Sequence, residues 1–283
     1  AGDDTFIVTS NSFGNDQWDA GIGGETVGDQ LDATALSANA TVNLSGTGAG
    51  TLTSGGNTVS FTNVEEIATG AGNDTVFASS GNDTVSTGAG DDRVVLSDGF
   101  GTDTFDGGET GETAGDQLDG TSLTDDVTVT LTSEGTGTLA AGGDTAAFTG
   151  FESIETGDGA DTATGTSGTD TIALGRNDDT YIIGDGFNND NIDFGEGLLN
   201  NGDTLDGAAL TDDVTVTFTS NEDGTVSDGT DTLTFTNLEN VITGSGNDTI
   251  VGGETGTDFD EVHVASSDDI TVTFTASEAG TIT

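Results

Sequence analysis

The chain has no cysteine, no proline, no methionine and no lysine; its only permanent cations are Arg93 and Arg176. Without cysteine there is neither a disulfide nor thiol chemistry, so a small core must be held by something else, and metal is the remaining staple. Against the two arginines stand 52 acidic residues, a formal net charge of −50. Self-repulsion on that scale opposes compaction unless metal or salt screens it. It also argues against nucleic acid and anionic membrane surfaces as partners. No apolar run approaches the ~18 residues of a membrane span. No signal peptide is visible, and the chain opens on Ala1, which reads as a mature or partial product.

Aromatic and basic catalytic groups are scarce too. His263 is the only histidine and reads as an outward strand residue in Glu261-Val262-His263-Val264. Paired carboxylates of the glycosidase kind abound, but one tryptophan and one tyrosine do not line a sugar cleft. The two arginines fall out of register with each other, so they form no repeated function. The expectation is a protein that is not an enzyme.

What is present is order at two periods. Gly70 to Leu96 reads GAGNDTVFA, SSGNDTVST and GAGDDRVVL, three nine-residue units in tandem. Each has Gly third, Asp fifth (Asp74, Asp83, Asp92) and Val seventh (Val76, Val85, Val94). The first six residues turn the chain and the last three make a short strand whose centre points inward. Two units close a coil of ~18 residues, which stacks Asp74 beside Asp92 and sends Asp83 to the other edge. A calcium ion between stacked turns would take Asp carboxylates and backbone carbonyls, an all-oxygen shell. Gly70, Gly72, Gly88 and Gly90 are the candidate carbonyl donors. The block recurs as Asp161, Asp170 and Asp179, begins again at Asp248, and is matched at the start by Asp4.

The longer period is 87 residues. It separates Asp29 from Asp116 and Asp116 from Asp203, and likewise Phe61, Phe148 and Phe235. Residues 1–28 are a partial copy, 29–115 and 116–202 full copies, and 203–283 a shortened one. Such regularity predicts an array built by stacking. Each copy also holds alternating strands such as Val127-Thr128-Val129-Thr130-Leu131-Thr132, apolar on one face and threonine on the other. Capped 3.6-residue periodicity is missing, so no helix is expected. The fold class read from this is all-β: a continuous, rod-shaped parallel β-solenoid, or β-roll, on the order of 75 Å long at ~4.8 Å per coil. Without calcium, a disordered chain is as good a reading as a folded one.

A second acidic series keeps the same interval: Asp16, Asp103 and Asp190, then Asp19, Asp106 and Asp193. These admit two readings, another calcium site helped by the Asp29 and Asp32 series, or solvated turn residues. Glu65, Glu152 and Glu239 recur as well and read as strand-end carboxylates bonding backbone amides.

The nonapeptides resemble those of the RTX (repeats-in-toxin) calcium-binding proteins, and the whole chain looks like the acidic arrays of large secreted bacterial proteins. Locally it departs from the pattern: Ala71, Asp158 or Ser245 replaces the second glycine, Ser79-Ser80 replaces the pair, and Ala163 stands where valine stands elsewhere. The resemblance implies export from a Gram-negative cell, folding on meeting millimolar calcium outside, and a surface, matrix or adhesive role. Three classes follow: a secreted structural protein of a fibre, matrix or surface layer; the extender or ligand-binding segment of a large adhesin; and the carrier region of a secreted enzyme. The first leads. Asp4 would share a site whose other half is missing, and the strand Ile270 to Phe274 and Gly280-Thr281-Ile282-Thr283 stop mid-repeat. The expectation is end-to-end assembly into a homopolymer.

Overall fold

The structure, a computed structural model, describes residues 2–24, 26–195, 202–219, 222–252, 261–263 and 271–274. Gly280 to Thr283 and Ile270 lie outside them. Among the described residues the regular elements are all strands, none a helix. Glycine and β-branched residues are too dense for helical propensity to win. The chain divides into two compact units, residues 1–123 with 135–154, and residues 124–134 with 155–283.

In the first unit the chain passes back and forth between two sheets. The first sheet stacks Thr5–Ile7, Gln30–Asp32, Glu66–Ala68, Thr84–Ser86, Thr102–Asp106 and Asp144–Thr149 in parallel. Its central residues form one in-register column, Phe6, Leu31, Ile67, Val85, Phe105 and Phe148. The second sheet stacks Ala40–Leu44, Thr75–Phe77, Arg93–Ser97 and Gln117–Leu123 in parallel, with Val42, Val76, Val94 and Leu118 in column. Each of those four is fully buried. Three-residue strands offer one inward position each, so a single bulky apolar residue per strand builds the core.

The parallel roll is interrupted by a meander. Ala40–Leu44, Gly50–Ser54 and Asn57–Thr62 are antiparallel neighbours. The last two are joined by Gly55 and Gly56, both at positive φ (57° and 84°), as a two-residue hairpin turn requires. The outer strand, Asn57–Thr62, returns to pair in parallel with Asn15–Asp19, bringing Trp18 beside Phe61. Trp18 also stacks on Phe6, centroids 5.4 Å apart. The alternating strands of each repeat thus form antiparallel meanders within an otherwise parallel solenoid.

Counting the meander as one pass, the copy beginning at Asp29 makes seven passes between sheets before Gln117–Leu123. An odd number delivers equivalent residues to opposite sheets. Asp29 precedes a strand of the first sheet and Asp116 one of the second; Phe61 lies in the second sheet and Phe148 in the first. The second unit follows the same rule by itself, with Asp161 preceding a strand of one sheet and Asp248 a strand of the other. Its own meander is Thr215–Phe218, Gly224–Ser227 and Thr232–Thr236. Each meander adds strands to one sheet only, and 87 residues after the first the antiparallel pair Thr136–Ala141 and Asp144–Thr149 lies on the other sheet.

Candidate metal centre

The aspartates at the fifth place of each nonapeptide stand at the mouths of the short strands, and the coil stacks them. In the first unit the Asp74 amide donates to Asp92 Oδ1 (2.6 Å), the Asp92 amide to Asp116 Oδ1 (2.7 Å) and the Asp116 amide to Glu152 Oε2 (2.6 Å). At the strands of the other sheet the Asp83 amide donates to Asp103 Oδ1 (2.9 Å), and the Asp4 amide to Asp29 Oδ1 (2.6 Å). The second unit repeats the device. Asp161 Oδ1 accepts from the Val127 amide (2.8 Å), Asp179 Oδ1 from Asp161 (2.7 Å) and Asp203 Oδ1 from Asp179 (2.7 Å). Asp190 Oδ1 accepts from the Asp170 amide (2.9 Å), and Asp248 Oδ1 from Val214 (3.1 Å).

Sequence separation along these columns is not constant. It is 18 residues for Asp74 to Asp92 and for Asp161 to Asp179, 20 for Asp83 to Asp103, and 24 for Asp92 to Asp116. The 18-residue coil therefore holds only within the tandem nonapeptides; turn insertions lengthen the others.

Each ladder bond uses one carboxylate oxygen. The second oxygen, Oδ2, of Asp29, Asp92, Asp103, Asp116, Asp161, Asp179 and Asp248 is buried and has no hydrogen-bond partner. A buried charge without a partner is costly, and the usual response is a raised pKa. Burial lifts Asp92 and Asp161 to about 6, Asp103 and Asp116 to about 7, Asp203 to about 8 and Asp179 to about 9. The ladder amides pull the other way, and neighbouring carboxylates add to the rise. The chain's own cations are elsewhere: Arg93 pairs with Asp119, and Arg176 lies 3.9 Å from Asp158.

Backbone carbonyls face the same turns. A Cβ on Gly88 would come 2.4 Å from the Gly70 carbonyl oxygen, and one on Gly90 would come 2.6 Å from that of Gly72. Both Gly88 and Gly90 hold positive φ, so a side chain is excluded twice over. Among the described residues no three acidic or histidine side chains gather into one metal cluster. A cation here would rely on one or two carboxylates plus carbonyls, an oxygen set suited to the hard, flexible shell of calcium. The orphaned oxygens fit such an ion: they are buried carboxylate oxygens that recur along the columns, although at Asp74, Asp83 and Asp170 the second oxygen already accepts from the Gly70, Ser79 and Thr166 amides.

The second acidic series is split by the structure. Asp103 and Asp190 are buried and ladder-bonded. Asp106 is exposed and accepts from the Thr149 hydroxyl, while Asp193 is exposed and accepts from Gly195, Thr236 and Asn237. These two are solvated strand-end residues, not members of the columns. Asp4 is exposed, and its amide donates to Asp29 Oδ1 while its carbonyl accepts from the Gln30 amide. Alternation carried the distinction: Asp103 has the parity of inward Phe105, and Asp106 the opposite. Two contributors deserved more weight from sequence. The Asp29, Asp116 and Asp203 series extends the ladders, and Glu65, Glu152 and Glu239 cap them through Oε2 on the amides of Asp29, Asp116 and Asp203. Glu112, matched 87 residues earlier by Glu25 but 87 residues later by Leu199, buries an unpartnered Oε1 near Asp91 and Glu152.

The RTX calcium-binding nonapeptide repeat matches this chain in four copies, over residues 63–94, 147–181 and 239–255. Those spans contain Asp74, Asp83 and Asp92, Asp161, Asp170 and Asp179, and Asp248. No curated protein matches the chain.

Proposed function

Given a chain that is an RTX calcium-binding repeat protein, we propose that it works as a secreted, calcium-stabilised structural protein in an extracellular fibre, matrix or surface layer, without a catalytic role. The observation that carries this reading is the columns of buried carboxylates themselves. Ion sites coincide with the turns that hold the coils together, rather than with a cleft. Millimolar calcium outside a Gram-negative cell would supply the missing positive charge, and low calcium inside would keep the chain open for export. Solvent-facing threonines alternate with the apolar core along the meander strands, which suits a long-lived hydrated surface more than a substrate pocket.

Assembly into a homopolymer belongs to the same proposal. Parallel ladders grow by adding rungs at ~4.8 Å, and a further copy docked end to end would continue them. Such contact is heterologous, and a non-closing rotation gives a filament. Electron microscopy of the protein at millimolar calcium and after chelation tests both parts. Fibres or sheets that form with calcium and dissolve without it are the expected result. Monodisperse monomers at every calcium and protein concentration would overturn it.

A further inference from the structure

The two full copies differ at one point in a coordinated way. In the first, Asp83 and Asp103 are ladder-bonded and Asp103 Oδ2 is buried without a partner. The equivalents 87 residues on are Asp170 and Asp190, ladder-bonded in the same manner. There, however, the hydroxyl of Tyr181 reaches both second oxygens, 3.0 Å to Asp190 Oδ2 and 3.4 Å to Asp170 Oδ2. Tyr181 is the only tyrosine of the chain and is completely buried.

Three positions have changed together to admit it. Val94 of the first copy becomes Tyr181, Val76 becomes Ala163, and Ala78 becomes Gly165. Val76 and Val94 are ladder partners, as are Ala163 and Tyr181, so the small residue sits beside the large one. A Cβ on Gly165 would lie 2.2 Å from the Tyr181 hydroxyl, so the alanine of the first copy would block it. The two departures from pattern at 163 and 165 thus have one cause.

We propose that Tyr181 is a built-in plug that replaces the cation at the Asp170/Asp190 turn, so that this rung takes no calcium while its Asp83/Asp103 counterpart does. The phenol supplies one hydrogen to two carboxylates, where an ion would supply charge to both. The ring fills the space in which a hydrated or carbonyl-coordinated ion would stand. The second copy then carries one ion fewer than the first and keeps one turn closed at calcium levels that empty the rest. This holds whether or not the chain builds fibres.

The test is the number of bound calcium ions, counted by native mass spectrometry and equilibrium dialysis on the full chain. The triple variant Ala163→Val/Gly165→Ala/Tyr181→Val restores the first copy's residues and should bind one ion more than the unaltered protein. The reciprocal Val76→Ala/Ala78→Gly/Val94→Tyr should bind one fewer. Tyr181→Phe keeps the ring but removes the hydrogen; its ion count should be unchanged while its melting temperature falls. An unchanged count in both triple variants would overturn the proposal, and so would loss of an ion in Tyr181→Phe, because the hydroxyl would then belong to a calcium site. A first triple variant that stays unfolded at millimolar calcium overturns it equally, since calcium would have failed to take the place of the plug.

Discussion

At the scale of the residue, the two oxygens of a ladder aspartate are separable. Asp92 Oδ1 satisfies the Asp74 amide, and Asp92 Oδ2 is buried without a partner, the atom we propose for a cation. Asp92→Ala removes both. The stranded, buried Asp74 amide alone costs about 1–3 kcal/mol, and the neighbouring calcium shell loses a charged ligand. Asp125, by contrast, is exposed, and Asp125→Ala should stay within about 0.5 kcal/mol of the unaltered protein. Calcium titration with thermal melting of the two variants checks this: weaker binding and a lower melting temperature for Asp92→Ala only. Equal behaviour would withdraw Asp92 from the ligands. The parity of side chains was legible beforehand, since Asp103 shares a face with Phe105 and Asp106 does not. The plug was not, because a tyrosine at the apolar place of a nonapeptide looks like any other core residue until its hydroxyl is located.

At the scale of the element, two kinds of strand coexist. The roll strands Thr75–Phe77 and Thr84–Ser86 have three residues each and owe their place to neighbours a coil away. The meander of Ala40–Leu44, Gly50–Ser54 and Asn57–Thr62 closes through short local turns. Loop closure is cheaper there, and the acidic column touches it at one end, where the Ala40 amide donates to Asp74 Oδ1 (2.6 Å). Hydrogen exchange during stepwise calcium removal should therefore release the amides of residues 75–97 before those of residues 40–62. Simultaneous exchange of both segments would show one cooperative unit instead. The sequence announced the meander strands by their alternation. It did not announce their order in the sheet, in which the first meander strand lies farthest along the stack, against Thr75–Phe77.

At the scale of the whole molecule, calcium and protons compete for the same oxygens. Asp92, Asp103, Asp116, Asp161, Asp179 and Asp203 have folded-state pKa values raised by burial, from about 6 at Asp92 to about 9 at Asp179. Without metal, the fold binds protons more tightly than the open chain. The stability these groups contribute is then fully present below about 4, the ordinary aspartate value, and is lost as pH rises through 6 to 9. Circular dichroism of metal-free protein should show strand signal gained between pH 8 and pH 5, and calcium should restore it at pH 8 where magnesium does so poorly. In excess calcium the sign reverses, because the ligands must be deprotonated, and melting temperature should rise from pH 5 to pH 7. A metal-free chain equally folded across the range would remove calcium from its role in folding. The amino-acid sequence by itself determined the β class, the repeat, the acidic turns and their cation, because each rests on local spacing: period two along a strand, nine along a roll. Only the tertiary structure decided which sheet each copy occupies, which oxygen of each aspartate is left over, and that Tyr181 meets Asp170 and Asp190 across the turns. Those depend on the count of passes and on which coil lies next, and no local pattern contains either.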